Sequence, residues 1–282
     1  MPTTASGLAY IPRGTKSKCC KGGVISIVMN AGSAGLHDRN ETAADKVEAI
    51  AAAEAKNASG AAGGSTVMEA AAMADHVYYT KSLEEAKQDV LPGGWQLNDA
   101  EEIESMRIGV YAKTVEGQTE YTLVNRGTRD WSWSEDGDNN VKQLFGESED
   151  VRNSIAYSKD FVKDHSGSNI TFVGHSKGGA EAAASPVKTK KNAILFNPAT
   201  VNLGAYGLSS SDYSASMTTY IVDGEILHMA EGWFSKPIGS VEYLPAQYPT
   251  NTWNPKTNVK NAAANHSMDA VIDAIKEKGG KD

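Results

Sequence analysis

One segment carries the residue types and spacing of nucleophilic acyl chemistry. It reads Ile170-Thr-Phe-Val-Gly-His-Ser-Lys-Gly-Gly179 and contains Gly174-x-Ser176-x-Gly178. In this pattern a serine sits on a sharp turn between a strand and a helix. Glycines two before and two after let strand and helix approach, and the hydroxyl is held beside a helix N-terminus whose free N–H groups favour a developing oxyanion. At average Gly and Ser usage of roughly 7% each, the three fixed positions recur by chance about once in ten chains of this length. Context therefore has to carry the reading. An apolar β-branched run ends just before the motif, and a small-residue run with Ala180, Ala182, Ala183 and Ala184 follows it.

A serine hydroxyl needs a base, and the base needs an orienting acid. In strand–turn–helix hydrolases the chain order is nucleophile, acid, histidine. Downstream of Ser176 the only histidines are His228 and His266. His266 precedes the last apolar helical stripe and fits that order. His228 follows too closely on the acid candidates. His175 adjoins the nucleophile but faces the other side of the turn, so its role is structural. The acid belongs just beyond a strand. The run Thr219-Tyr-Ile-Val222 is followed by Asp223-Gly224-Glu225. Asp223 abuts the strand end and is the commoner residue type, whereas Glu225 lies beyond a glycine that could turn it inward. Both stay candidates. For the oxyanion, one donor is the backbone N–H of Lys177. A second comes from Thr128, after the run Leu123-Val-Asn-Arg-Gly-Thr128. Such a mechanism needs no cofactor.

These residues must be positioned by elements, and the periodicity indicates which. Thr66-Val-Met-Glu69 has the capping-box pattern, and Val67, Ala70, Ala71, Ala74, Val77 and Tyr78 behind it form an apolar helical stripe. Residues 108–113 and 120–125 read as strands joined by a turn at Glu116-Gly117. Val151, Ile155, Phe161 and Val162 mark a helix. Residues 193–196 and 219–222 are buried-strand candidates, and Met268, Val271, Ile272 and Ile275 mark a final helix. Strands alternating with helices indicate a mostly parallel central sheet flanked by helices. Residues 41–59 carry a further helical pattern. The domain reading is an irregular arm over 1–40 and one α/β domain over 41–282, with a helical N-terminal extension.

Composition narrows the function classes. The chain has 282 residues, 27 basic and 35 acidic, for a formal charge of −8. Nucleic-acid binding would need a basic surface to replace counterions, so no nucleic-acid partner is expected. Adsorption to an anionic membrane by charge alone is disfavoured too. The two cysteines, Cys19 and Cys20, are adjacent, which excludes a disulfide scaffold and a zinc site built on cysteine spacing. Lysines precede a short apolar run at 24–29, but it is shorter than the roughly 7–15 residues of a signal-peptide core and starts too far from Met1. No cleaved secretory signal is read. That leaves a cytoplasmic location, or export by a route without such a mark. Asp136, Asp138 and Asn140 alternate like Ca²⁺ ligands, yet the glycine and distal Glu of a full loop are out of register. No metal is assigned.

Taken together, Arg126-Gly-Thr-x-Asp-Trp131 after a strand and Gly-His-Ser-x-Gly178 resemble the class 3 lipases of the α/β-hydrolase fold. The segments Ala74-Asp-His-Val-Tyr78 and Pro92-Gly-Gly-Trp95 resemble the region those lipases place before their first hairpin. Gly-His-Ser-Lys-Gly-Gly-Ala-Glu181, with Asn192-Ala-Ile-Leu-Phe-Asn-Pro-Ala199, is closer to the secreted bacterial phospholipase A1 branch. The resemblance covers about residues 66–278. It implies an α/β-hydrolase fold, an oxyanion role for the Arg-Gly-Thr128 turn, and release of fatty acid from glycerophospholipids at sn-1. It also implies export without a cleaved signal and an inhibitor or accessory protein in the producing cell. Class 3 lipases usually carry Gly/Asn-Asp-x-Val at the acid. In frame, Gly224-Glu-Ile-Leu227 favours Glu225. Trp131, Trp133, Leu144 and Phe145 occupy the place of a lid that meets lipid. Contact through an apolar mouth rather than by charge predicts vesicle binding that depends little on salt. The alternatives are a soluble carboxylesterase or thioesterase with the same triad, and a non-catalytic binding module on the same fold.

Overall fold

The computed structural model describes residues 64–128, 148–231 and 237–279. The arm over 1–40 and its boundary, the helical pattern over 41–59, the cysteine pair, the acidic loop and the lid aromatics Trp131, Trp133, Leu144 and Phe145 lie outside those residues.

Seven strands form one sheet in chain order: β1 (Gln96–Ile103), β2 (Met106–Val115), β3 (Gln118–Asn125), β4 (Ile170–His175), β5 (Asn192–Phe196), β6 (Met217–Val222) and β7 (Ser240–Leu244). The first three pair antiparallel, and from β3 onward every pairing is parallel. Glu116 and Gly117 both have positive φ, at 52° and 82°, with Val115 opposite Gln118. That is the two-residue hairpin turn whose twist matches its strands.

Period-two alternation sends neighbouring residues to opposite faces. Val124, Val173, Phe196 and Val222 pack on one face against α1 (Val67–His76) and α7 (Met268–Gly279). Leu123, Phe172 and Leu195 pack on the other face, against Tyr157 and Phe161 of α3 (Glu149–Asp164) and Ala182, Ala183 and Val187 of α4 (Lys177–Thr189). This three-layer, mostly parallel arrangement is the α/β-hydrolase fold. At the start of α1, Thr66 and Glu69 satisfy each other's backbone N–H, completing the expected capping box. Among the described residues no helix is long and apolar enough to cross a membrane.

The sequence reading left out both edge strands and three helices. Strand β1 buries only Leu97 fully, and β7 only Leu244, as edge strands do. Helix α6 (Pro255–Asn265) buries only Ala262 and Asn265, so it has no apolar stripe. A short helix α5 (Ile226–Glu231) follows β6, and a still shorter α2 (Leu83–Ala86) precedes β1.

Candidate active site

Ser176 stands between the end of β4 and the start of α4 with φ 58° and ψ −127°. Non-glycine residues rarely adopt such a conformation, which costs of order 1–3 kcal/mol and is found at functional sites. The two flanking glycines are steric requirements. A Cβ on Gly174 would collide with the carbonyl oxygen of Gly178, and one on Gly178 with that of Asn125. The carbonyl of Ser176 is held by the N–H groups of Gly179 and Ala199, each at 2.9 Å. A serine at a helix start ordinarily caps the helix with its own hydroxyl. Here it makes no such bond.

Instead the Ser176 hydroxyl donates to Nε2 of His266 at 2.9 Å, and His266 Nδ1–H donates to Oε2 of Glu225 at 2.7 Å. The carboxylate can only accept from Nδ1, so it fixes the tautomer that leaves Nε2 free to take a proton. All three residues are buried. Glu225 also accepts the N–H of Leu227 at 2.9 Å and that of His228. Leu227 shares Oε2 with His266 and His228 holds Oε1, so both carboxylate oxygens are fixed.

Of the two acids the sequence left open, Glu225 lies against His266 and Asp223 does not. Asp223 is exposed, and its backbone carbonyl accepts from the Asn265 side chain at 3.3 Å. Gly224, at φ +70°, then reverses the chain and turns Glu225 inward. His228 is part of the carboxylate cradle through its backbone. Its ring lies 5.7 Å from that of Tyr243.

Thr128 and Ser176 line one cleft of about 850 Å³ that opens to solvent, with Tyr78, Ala263 and Met268 among its walls. The adjacent Gly127 presses on the nucleophile. A Cβ there would stand 3.0 Å from the Ser176 Cβ. Lys177 is the first residue of α4, where N–H groups have no intrahelical acceptor. A second, largely apolar pocket opens behind Glu225, lined by Pro198, Val201 and Ile221, and Ser176 is not among its walls.

Of the residues that hold His266, sequence reasoning gave His175 a structural role and missed Tyr78 and Asn197. His175 donates its Nε2–H to the His266 carbonyl at 2.7 Å and accepts the Tyr78 hydroxyl on Nδ1 at 2.8 Å. Burial, with His266 nearby acting in the same direction, pushes His175 down to about 3, so the ring is neutral. Neutrality leaves it one donor and one acceptor, which these two bonds use. Burial raises the Tyr78 phenol well above its ordinary range, keeping the proton that His175 accepts. Asn197 donates to the same His266 carbonyl at 3.3 Å and to that of Asn265 at 3.1 Å. Tyr78 had read as one more position in an apolar stripe. Asn197 sits in Phe196-Asn-Pro198, where its φ of 39° is the local trace of this role.

Under the turn lies a buried polar cluster. Lys177 Nζ binds Asp150 at 2.6 Å and lies 3.8 Å from Glu181. Glu181 is fully buried and accepts from Asn125 at 2.9 Å. One ammonium serves two carboxylates, Asp150 more closely, and burial pushes Glu181 up to about 8.

Residues 69–236 match a phospholipase-like family, the Tle-like phospholipase domain. The chain belongs to that family. The Tle-like phospholipase domain described here is thus a lipolytic hydrolase of carboxylic esters. No curated protein matches the sequence. Solved structures similar to the Tle-like chain include the Rhizomucor miehei lipase in complex with its propeptide. They share 12% identity over 63% of this chain and 67% of that one, with a TM-score of 0.44. A triacylglycerol lipase from Penicillium expansum is similar at 12% identity over 64% of this chain and 78% of that one, with a TM-score of 0.42.

Proposed function

We propose that the chain is a phospholipase of A1 type that works through Ser176, His266 and Glu225. The observation that carries this reading is the pair of bonds from the Ser176 hydroxyl to His266 and from His266 to Glu225, at 2.9 and 2.7 Å, on a strained turn. Ser176 Oγ attacks the ester carbonyl carbon while His266 Nε2 takes the hydroxyl proton, and the imidazolium is stabilised by Glu225. The tetrahedral oxyanion accepts from the Lys177 N–H and from Thr128, a pair of donors of which either is worth about 10²–10³ in rate. Collapse breaks the bond to the glycerol oxygen, which leaves with the proton from His266 as lysophospholipid. Water, deprotonated by His266, then attacks the acyl-serine, and its collapse releases fatty acid and restores Ser176.

The sn-1 preference follows the resemblance of the Gly-His-Ser-Lys-Gly-Gly-Ala-Glu181 segment. Mass spectrometry of products from phospholipids with different acyl chains at sn-1 and sn-2 tests it. The expected products are the sn-1 fatty acid and a lysophospholipid retaining the sn-2 chain, both absent with Ser176→Ala. Release of the sn-2 chain would overturn the A1 assignment. Release undiminished in Ser176→Ala would overturn the mechanism.

A further inference from the structure

The helix that delivers His266 also presents an unusual surface. From Tyr243 to Met268 the chain contains no Asp or Glu, yet it holds Lys256 and Lys260, in a protein whose net charge is −8. Within this stretch Trp253 is fully exposed at 104% of its reference area, and Val259 and Tyr248 are exposed at 47% and 44%. An indole in water forgoes the burial that such a ring ordinarily finds.

Trp253 is not exposed because its loop is loose. The Thr252 N–H donates to the Asn258 side chain at 2.8 Å, and the Asn258 amide returns a bond to the Thr252 carbonyl at 3.0 Å. Asn254 caps the helix by accepting from Lys256 N at 3.0 Å, and Pro255 presets the first turn. Asn261 donates to the Pro249 carbonyl at 2.6 Å. A hydrophobic residue just before an N-cap commonly packs on the fourth helical residue. Here that residue is Asn258, already engaged with Thr252, so the indole has no apolar seat and points outward from a pinned backbone.

This surface is continuous with the cleft. Val259 and Ala263 are four apart on α6 and share a face, and Ala263 lines the Ser176 cleft. The 11-residue helix spans about 16 Å, with Trp253 just before one end and His266 just after the other. Tyr248 is clamped at that second end, its backbone bonded to the Asn265 side chain through both N–H and C=O at 2.9 and 2.8 Å.

We propose that Trp253, Val259 and Lys260 form the docking face by which the enzyme seats on an anionic phospholipid surface, with α6 lying along the interface and the Ser176 cleft opening onto it. The proposal rests on the lipid-hydrolase reading above and names how that substrate is met. The ring enters the headgroup boundary, as amphipathic aromatics do, and Lys260 meets lipid phosphates.

The test uses Ser176→Ala protein, so that vesicles are not consumed, and co-sedimentation with phosphatidylglycerol or phosphatidylcholine vesicles. Adding Trp253→Ala weakens binding to both about tenfold or more. Adding Lys260→Gln weakens binding to phosphatidylglycerol by about fivefold and leaves phosphatidylcholine binding unchanged. With Ser176 intact, Trp253→Ala slows hydrolysis of vesicles but not of p-nitrophenyl butyrate. Equal vesicle affinity with and without Trp253 overturns the proposal, as does an equal loss on the soluble ester. A lipid-free dimer that Trp253→Ala converts to monomer assigns the face to a second copy and overturns it too. Normal binding by a wild-type protein that hydrolyses neither substrate would leave this face standing and fail the Ser176 reading instead.

Discussion

At the scale of single residues, the site depends on who keeps a proton. Neutral His175 connects Tyr78, beside the Gly127-Thr128 turn, to the backbone of His266. Glu181 makes the complementary point. Its folded value near 8 exceeds the ordinary 4.5, so between those values the folded chain holds a proton that the unfolded chain has lost. Its stabilising contribution is complete below about pH 4.5 and is lost as pH rises through 8. His175 runs in the opposite sense, destabilising the fold as pH falls below about 6.5 towards 3. Comparing Glu181→Gln with wild type isolates the first effect, because His175 is common to both. The difference in urea midpoint should move in favour of the Gln variant between pH 5 and pH 8. A difference that stays constant across that range would show that Glu181 does not hold its proton in the folded state.

At the scale of elements, the strand–turn–helix around Ser176 is set by contacts that leave no room for a methyl group. Gly178→Ala forces its Cβ against the Asn125 carbonyl, an overpacking that costs about 1–3 kcal/mol. Thermal unfolding should fall accordingly, and because β3 and α4 must separate, ester hydrolysis should fall further than the stability loss alone explains. Unchanged melting would show that the close approach is not as tight as described. Elements with strong periodicity were legible in the sequence. The hairpin at Glu116-Gly117, the buried runs at 170–173 and 193–196, and the last helix all emerge where expected, because both faces of the inner strands or one stripe of the helix must be apolar. Edge strands β1 and β7 were not legible, since each is half solvated. Helix α6 had only its start signal, Asn254-Pro255, and a face too polar to show a stripe. In the site, Ser176, His266 and a Glu225–Asp223 choice could be read from order and spacing. The choice of Glu225 could not; only the family resemblance favoured it, and its placement depends on Gly224 at φ +70° and on the N–H groups of Leu227 and His228. Nor could Tyr78 and Asn197, whose partners are distant in sequence.

At the scale of the whole molecule, net charge and local charge point in different directions. An overall charge of −8 discourages adsorption to anionic surfaces, while the carboxylate-free stretch over 243–268 gives one face an aromatic and two lysines. On the docking face proposed above, the salt-insensitive binding expected of contact through an apolar mouth would apply to the aromatic contribution, and the Lys260 contribution would weaken with salt. All of this serves one centre, whose chemistry one measurement tests most directly. Intact-mass spectrometry follows a fluorophosphonate ester as it adds to the protein, with the modified peptide sequenced. Wild type and Asp223→Asn should gain one phosphonate at comparable rates, on Ser176. Glu225→Gln should react about 10³–10⁴ times more slowly, having lost the acceptor that fixes the His266 tautomer. Labelling at another residue, or Asp223→Asn slowed while Glu225→Gln reacts like wild type, would contradict the account.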